Sequence, residues 1–185
     1  MKQLVFLLAV FCLASMAVFA QKTTDFSGEW SLDKGKSTLS ERMKNVESMT
    51  MTVAQTDKDL KVTNSVKRGA PPAGGGPPPG GGTGGGGGRG MGGGMGDQTM
   101  TYVLDGKETS TEIPGPGGGT ATLKSTARID GGKLNLSTAR STQMGDIKST
   151  ETWELQADGS LKVKRSTESP RGSESIELIF TKKTK

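Results

Sequence analysis

From residue 47 to the C-terminus, apolar and polar positions alternate with a period of two, not 3.6. Met49, Met51 and Val53 alternate with Thr50 and Thr52, and Met100, Tyr102 and Leu104 with Thr101 and Val103. Leu123, Ser125, Ala127 and Ile129 alternate with Lys124, Thr126 and Arg128. Ile147, Ser149, Glu151, Trp153 and Leu155 alternate with Lys148, Thr150, Thr152 and Glu154. Side chains of a strand point to opposite faces in turn, so this pattern is that of strands with one face inside. The abundance of Thr, Val and Ile agrees with it. The pattern predicts strands near 26–32, 47–55, 59–67, 98–104, 107–113, 120–129, 133–141, 146–155, 160–168 and 174–182, with some helical character at 38–45. Asp105-Gly106 reads as a type I′ hairpin turn, Asp130-Gly131-Gly132 as a similar one, and Ala157-Asp158-Gly159 as a three-residue turn with a left-handed Gly.

Consecutive short hairpins make a meander, and strands with one apolar face must close or pack on one another. The predicted fold class is all-β, an antiparallel up-and-down meander barrel of about eight to ten strands. The faces opposite the apolar ones carry Lys124, Arg128, Lys148, Glu154, Lys162 and Lys164. A lipid-facing wall excludes such a set, since each charge costs about 2–4 kcal/mol at the bilayer midplane. The apolar side chains therefore belong inside and the charged ones in water.

Two segments depart from the alternation. Residues 1–20 carry Lys2 followed by an apolar run from Leu4 to Phe19 that ends in Val18-Phe19-Ala20. This is the pattern of a signal peptide cleaved after Ala20, which implies a secreted or periplasmic protein with no integral membrane span once the leader is removed. Removal of Lys2 lowers the net charge from +5 to +4. The one Cys, Cys12, goes with the leader, so no disulfide framework is expected. The second segment, the Gly/Pro-rich stretch 69–97, holds 17 Gly and 5 Pro between Gly69 and Gly96. Such a composition buries too little apolar surface to offset its ordering entropy, so a flexible loop insert is expected. The expected organisation is a signal peptide (1–20) and a single β-barrel domain (21–185) interrupted by that loop, because the parts on either side are each marginal as a core.

The chain has no His. That removes imidazole bases, Ser–His and Cys–His pairs and His-ligated metals. Ser31-Leu32-Asp33-Lys34 matches Ser-x-x-Lys without the companion motifs of serine–lysine enzymes, and the Gly-rich segment matches Gly-x-Gly-x-x-Gly without a strand–helix context. Met91 and Met95, with Met100 near by, offer soft thioethers of a kind that suits Cu(I), on a tether too floppy to bind tightly. The reading is therefore non-enzymatic, with no catalytic residue, cofactor or metal. The basic residues are spread among acidic ones, and the chain after the leader has only Phe26, Trp30, Tyr102, Trp153 and Phe180 as aromatics. Without stacking platforms or a basic stripe, nucleic acid is not an expected partner.

The chain after the leader opens with Asp25-Phe26-Ser27-Gly28-Glu29-Trp30, followed by Asp33-Lys34-Gly35-Lys36-Ser37. The Phe-x-Gly-x-Trp core resembles the first-strand signature of lipocalins and related calycin barrels, and the whole run is similar to small secreted bacterial lipocalin-like proteins. Leu104-Asp105-Gly106-Lys107-Glu108 and Leu155-Gln156-Ala157-Asp158-Gly159-Ser160-Leu161-Lys162-Val163 resemble hairpins of that group. The Gly-rich insert is foreign to the lipocalin pattern, and a strand count nearer ten than eight leans toward the fatty-acid-binding relatives. The resemblance implies that Gly28 and Trp30 are structural, and that Trp30 closes one barrel end, often under a basic side chain from a late strand. Arg165 and Lys182 both fit that role. It also implies an interior that binds a small apolar or amphipathic ligand.

Counting outward from the Ala157-Asp158-Gly159 turn pairs Leu155 with Leu161, Trp153 with Val163 and Glu151 with Arg165. The last pair is charged and inward-facing, and either anchors a ligand head group or satisfies itself, because a buried charge must be matched. Arg140 also falls on an inward face, where an unpaired cation favours an acidic ligand. The expected interior ligand contacts are Glu151, Arg165, Arg140, Tyr102 and Trp153. The alternative is an envelope structural or protein-interaction module, with a solid barrel and the Gly-rich loop as its contact element.

Overall fold

The computed structural model describes residues 23–69, 98–114, 120–142 and 145–183. The expected signal peptide and the insert from residue 70 on, with Met91 and Met95, lie outside the described residues. Ten strands form one antiparallel sheet: β1 (Gly28–Leu32), β2 (Val46–Gln55), β3 (Asp59–Arg68), β4 (Gln98–Val103), β5 (Thr109–Pro114), β6 (Thr120–Asp130), β7 (Lys133–Thr142), β8 (Gly145–Leu155), β9 (Leu161–Ser169) and β10 (Gly172–Lys182). Their order is β4-β3-β2-β1-β10-β9-β8-β7-β6-β5. The first and last strands pair in the middle of the sheet, with Trp30 opposite Lys182 and Leu32 opposite Phe180. The strands on either side of the insert, β3 and β4, are also neighbours. The up-and-down meander is thus observed, with strand ends within a few residues of those the alternation predicts.

The sheet edges are β4 and β5, which do not pair with each other. Instead β4 packs against β6. The turn after β4 closes most of the remaining gap: the Gly106 N–H donates to the Ala127 carbonyl at 3.0 Å, and Asp105 bridges Arg128. This corrects the expectation of a type I′ hairpin at Asp105-Gly106. That turn needs positive φ at both residues, yet among the described residues only glycines have it, and Asp105 is not one of them. The Gly131-Gly132 and Gly159 turns form as expected, each at positive φ. The helical character at 38–45 comes down to one 3-10 turn, Glu41–Met43, whose Met43 is fully buried.

The barrel is apolar at one end and polar at the other. At the apolar end Phe26, Trp30, Leu134, Trp153, Leu161 and Phe180 are each 2% exposed or less. Burying such a side chain contributes roughly 1.5–3 kcal/mol. The Trp30 indole N–H donates to the Phe26 carbonyl at 3.0 Å, and the Phe26 ring meets Trp153 edge to face, centroids 6.2 Å apart. Lys182 Nζ lies 5.3 Å from the centre of the Trp30 ring. Of the two basic side chains that fit the capping role, Lys182 fills it, because the β1–β10 register sets it opposite Trp30. Toward the other end the inward positions turn polar, with Asn64, Ser125, Thr138, Arg140, Ser149 and Thr167 in register with the apolar ones below.

The outward faces carry a mesh of ion pairs. Glu154 bridges Lys133 (3.5 Å) and Lys162 (3.6 Å), Lys164 reaches Glu177 (3.7 Å) and Lys124 reaches Glu108 (2.9 Å). Pairing of this kind breaks up the basic surface that nucleic-acid binding requires. Among the described residues no helix is long and apolar enough to cross a membrane.

A candidate functional site inside the barrel

Strand parity places Glu151 and Trp153 on the inner face of β8. The β8–β9 register sets Arg165 directly opposite Glu151, as the turn arithmetic expected. Glu151 Oε1 accepts from Arg165 Nε at 2.6 Å, and Oε2 accepts from the Trp153 indole N–H at 2.7 Å. The Glu151 and Arg165 side chains are 17% and 20% exposed, so the pair is largely withdrawn from water. Both carboxylate oxygens therefore have a donor, and the nearby cation has its counter-charge.

On the far wall, Tyr102 of β4 stands opposite Leu60 of β3, and Met100 opposite Val62. The Tyr102 hydroxyl donates to the Met100 thioether at 3.4 Å, a weak acceptor. Burial pushes its ionisation well above the usual tyrosine value, the Glu151 carboxylate adds to the shift and Arg165 opposes it. The hydroxyl stays protonated and available as a donor at any physiological pH. Two positions beyond Val62 on β3 lies Asn64, whose Oδ1 is buried and has no hydrogen-bond partner among the described residues.

These groups line one cleft, with Met49, Met51, Leu136 and Phe180 completing its apolar walls. Its volume is about 340 Å³ with its solvent-connected part, but only about 30 Å³ admits the centre of a water-sized molecule. A water needs roughly 10–15 Å³ by that measure, so the cleft as it stands holds about two waters. Of the expected contacts, Glu151, Arg165, Tyr102 and Trp153 meet here. Arg140 does not reach the cleft lining; it sits between Leu123 and Ile147, and among the described residues no carboxylate lies within ion-pair distance of it. Asn64 was missed because a period-two reading collects the apolar side chains of one face, and Asn64 is a polar residue set between Val62 and Val66 on that face. Its parity with Leu60 and Val62 was the available signal.

A larger outer groove of about 370 Å³ by the water-centre measure runs over β6, β7 and β8, beside Thr126, Asn135, Ser137, Thr150 and Thr152. The one cation beside it, Arg128, is paired with Asp130 at 3.8 Å. Among the described residues no group of three or more Cys, Asp or Glu side chains is placed to hold a metal ion.

No protein-family model matches the sequence, and no curated protein matches it significantly. Solved structures do. The chain is similar to a mutant of the fluorescent protein UnaG, at 17% identity and a TM-score of 0.50, over 86% of this chain and 97% of that one. It is also similar to human cRBP IV (11% identity, TM-score 0.49, 86% and 98% covered). A zebrafish ileal bile-acid-binding protein, solved with cholic acid, aligns at 16% identity and a TM-score of 0.47 over 85% and 98%. At such identities the likeness is one of fold: a ten-stranded antiparallel barrel of the lipocalin-like calycin type.

Proposed function

We propose that this chain is an exported, non-enzymatic barrel that binds one small apolar or amphipathic molecule. The ligand's head group reaches the Asn64, Tyr102 and Glu151–Arg165 floor. The observation that carries this reading is the cleft itself, an apolar-walled space with a polar end inside a nearly closed sheet, the general form of a small-ligand site. Barrels of this size either fill with side chains or hold one small ligand. The present volume is too small for a lipid, so binding requires the walls to move. Met49 and Met51 are suited to that, because an unbranched thioether side chain refits a gap at little cost. Export rests on the Lys2 to Ala20 pattern, and N-terminal sequencing of the protein from its host is expected to begin at Gln21.

One observation favours a second reading. Room for only about two waters is also what a solid barrel looks like, and such a barrel acts as a structural or interaction module. Native mass spectrometry of the protein from its own host, repeated after denaturation, separates the two. A mass excess that denaturation releases as a lipid-like molecule is expected. A bare mass that gains nothing from a lipid extract refutes the binding reading and leaves the solid barrel.

A further inference from the structure

The charge arrangement in the cleft says what kind of head group it accepts. We infer that the cleft selects a neutral, hydroxyl-bearing ligand over a carboxylate or an ammonium. The inference rests on the binding reading above and specifies it.

The Glu151–Arg165 pair leaves no free charge for an ionic head group. An acid entering a barrel needs a cation whose charge is free. Arg165, the cation that lines the cleft, is held at 2.6 Å by Glu151. A carboxylate brought here meets a site of zero net charge and must approach Glu151 as closely as Arg165. An amine faces the mirror problem with Arg165. Either ion also loses its hydration, and that loss goes uncompensated where no opposite charge is left over. Arg140, the other inward cation, stands outside the cleft lining.

Asn64 presents the cleft with an open polar atom. Its Oδ1 is buried without a donor among the described residues, and an unmet buried polar atom is destabilising. A ligand that satisfies it regains that loss. The oxygen calls for a donor, and a hydroxyl supplies one. If the amide turns over, a hydroxyl accepts from the nitrogen equally well, whereas a carboxylate can only accept and an ammonium can only donate. The Tyr102 hydroxyl, whose partner is a thioether, is a second donor that a ligand oxygen can engage. A neutral hydroxyl therefore meets Asn64 and can accept from Tyr102 without disturbing the ion pair.

The test uses three probes of equal chain length, 1-decanol, decanoate and decylamine, titrated into the protein at pH 7 and read by calorimetry and native mass spectrometry. Decanol is expected to bind at least tenfold more tightly than either ion. Glu151→Gln frees the charge of Arg165 and is expected to shift the preference toward decanoate by tenfold or more. Asn64→Leu guards against a folding artefact. It removes an unmet polar atom, so the variant is expected to unfold no earlier than the parent while binding decanol about tenfold more weakly. Tighter binding of decanoate than of decanol to the parent protein overturns the head-group inference alone. Undiminished decanol binding by a folded Asn64→Leu also overturns it. Failure of all three probes to bind overturns it together with the binding reading.

Discussion

The closure of the apolar end rests on one glycine, and Gly28→Ala tests how. Gly28 has φ of +141°, a conformation that L side chains rarely adopt, and a Cβ built there lies 2.6 Å from Lys182 Cε and 3.3 Å from Nζ. Those two effects separate. The backbone strain persists whatever surrounds it and costs about 1–3 kcal/mol. The clash is with the far end of a flexible side chain, which swings away and thereby leaves the Trp30 ring. That forfeits a cation–π contact worth about 0.5–1 kcal/mol at an exposed position. The total is about 1.5–4 kcal/mol, which at a slope of about 2 kcal/mol per molar moves the urea midpoint down by roughly 1–2 M. Lys182→Ala alone is expected to cost about 0.5–1 kcal/mol. In the double variant the clash has no partner and the contact is already gone, so Gly28→Ala costs less there, by about the same amount. The assay is urea unfolding followed by tryptophan emission in all four proteins. A loss below about 0.5 kcal/mol for Gly28→Ala, or costs that simply add in the double variant, refutes the account of a glycine kept for both its φ and its lack of a side chain.

Two pH responses follow from single groups. Tyr102 is the chain's one tyrosine, and burial raises its ionisation above that of the unfolded chain. Above about pH 10 the unfolded state loses this proton while the folded state keeps it, so stability falls by up to about 1.4 kcal/mol per pH unit. Tyr102→Phe is expected to remove that component, read as the difference between the two urea-midpoint profiles above pH 9.5, and parallel profiles would sink the idea. Asp158 accepts from the Ser160 hydroxyl (2.6 Å) and N–H (2.9 Å), and these bonds hold its carboxyl below the usual range. Its contribution is complete above the unfolded value of about 3.9 and is lost as pH falls through the lowered folded one. The midpoints of the parent and Asp158→Ala are therefore expected to converge between pH 5 and pH 2, and a constant gap counts against the turn bonds.

What could be read in the sequence follows from how local each feature is. The β8–β9 register, and with it the Glu151–Arg165 contact, was legible because the three-residue turn at 157–159 fixes the count and each strand alternates strongly beside it. The basic cap on Trp30 was not, because the choice between Lys182 and Arg165 depends on pairing strands some 150 residues apart in sequence. The Asp105-Gly106 turn misled for a related reason. Its dipeptide favours a tight hairpin, but β4 and β5 end as the two sheet edges, and the chain there is drawn across to β6 instead. Closure of a sheet is a property of all its strands, and no window of ten residues contains it. Asn64 was overlooked although its signal was local: it shares the parity of Leu60, Val62 and Val66, but a polar side chain on that face is not what a hydropathy pattern picks out.

The interior ion pair bears on why the cleft exists at all. Withdrawing two charges from water costs several kcal/mol each, and replacing such a pair by apolar side chains of similar volume is often neutral or stabilising. Stability alone therefore gives no reason to keep Glu151 and Arg165 among Trp153, Val163 and Leu178, where a continuous apolar core was available to the same strands. Nor does it give a reason for an unmet amide at Asn64, since Leu or Val at that position continues the alternation of Leu60 and Val62. A barrel built to be solid has no use for either feature. A barrel with a hydrogen-bonding floor has a use for both: the pair holds the indole of Trp153 and the wall of β9 in place at zero net charge, and the amide offers the open valence.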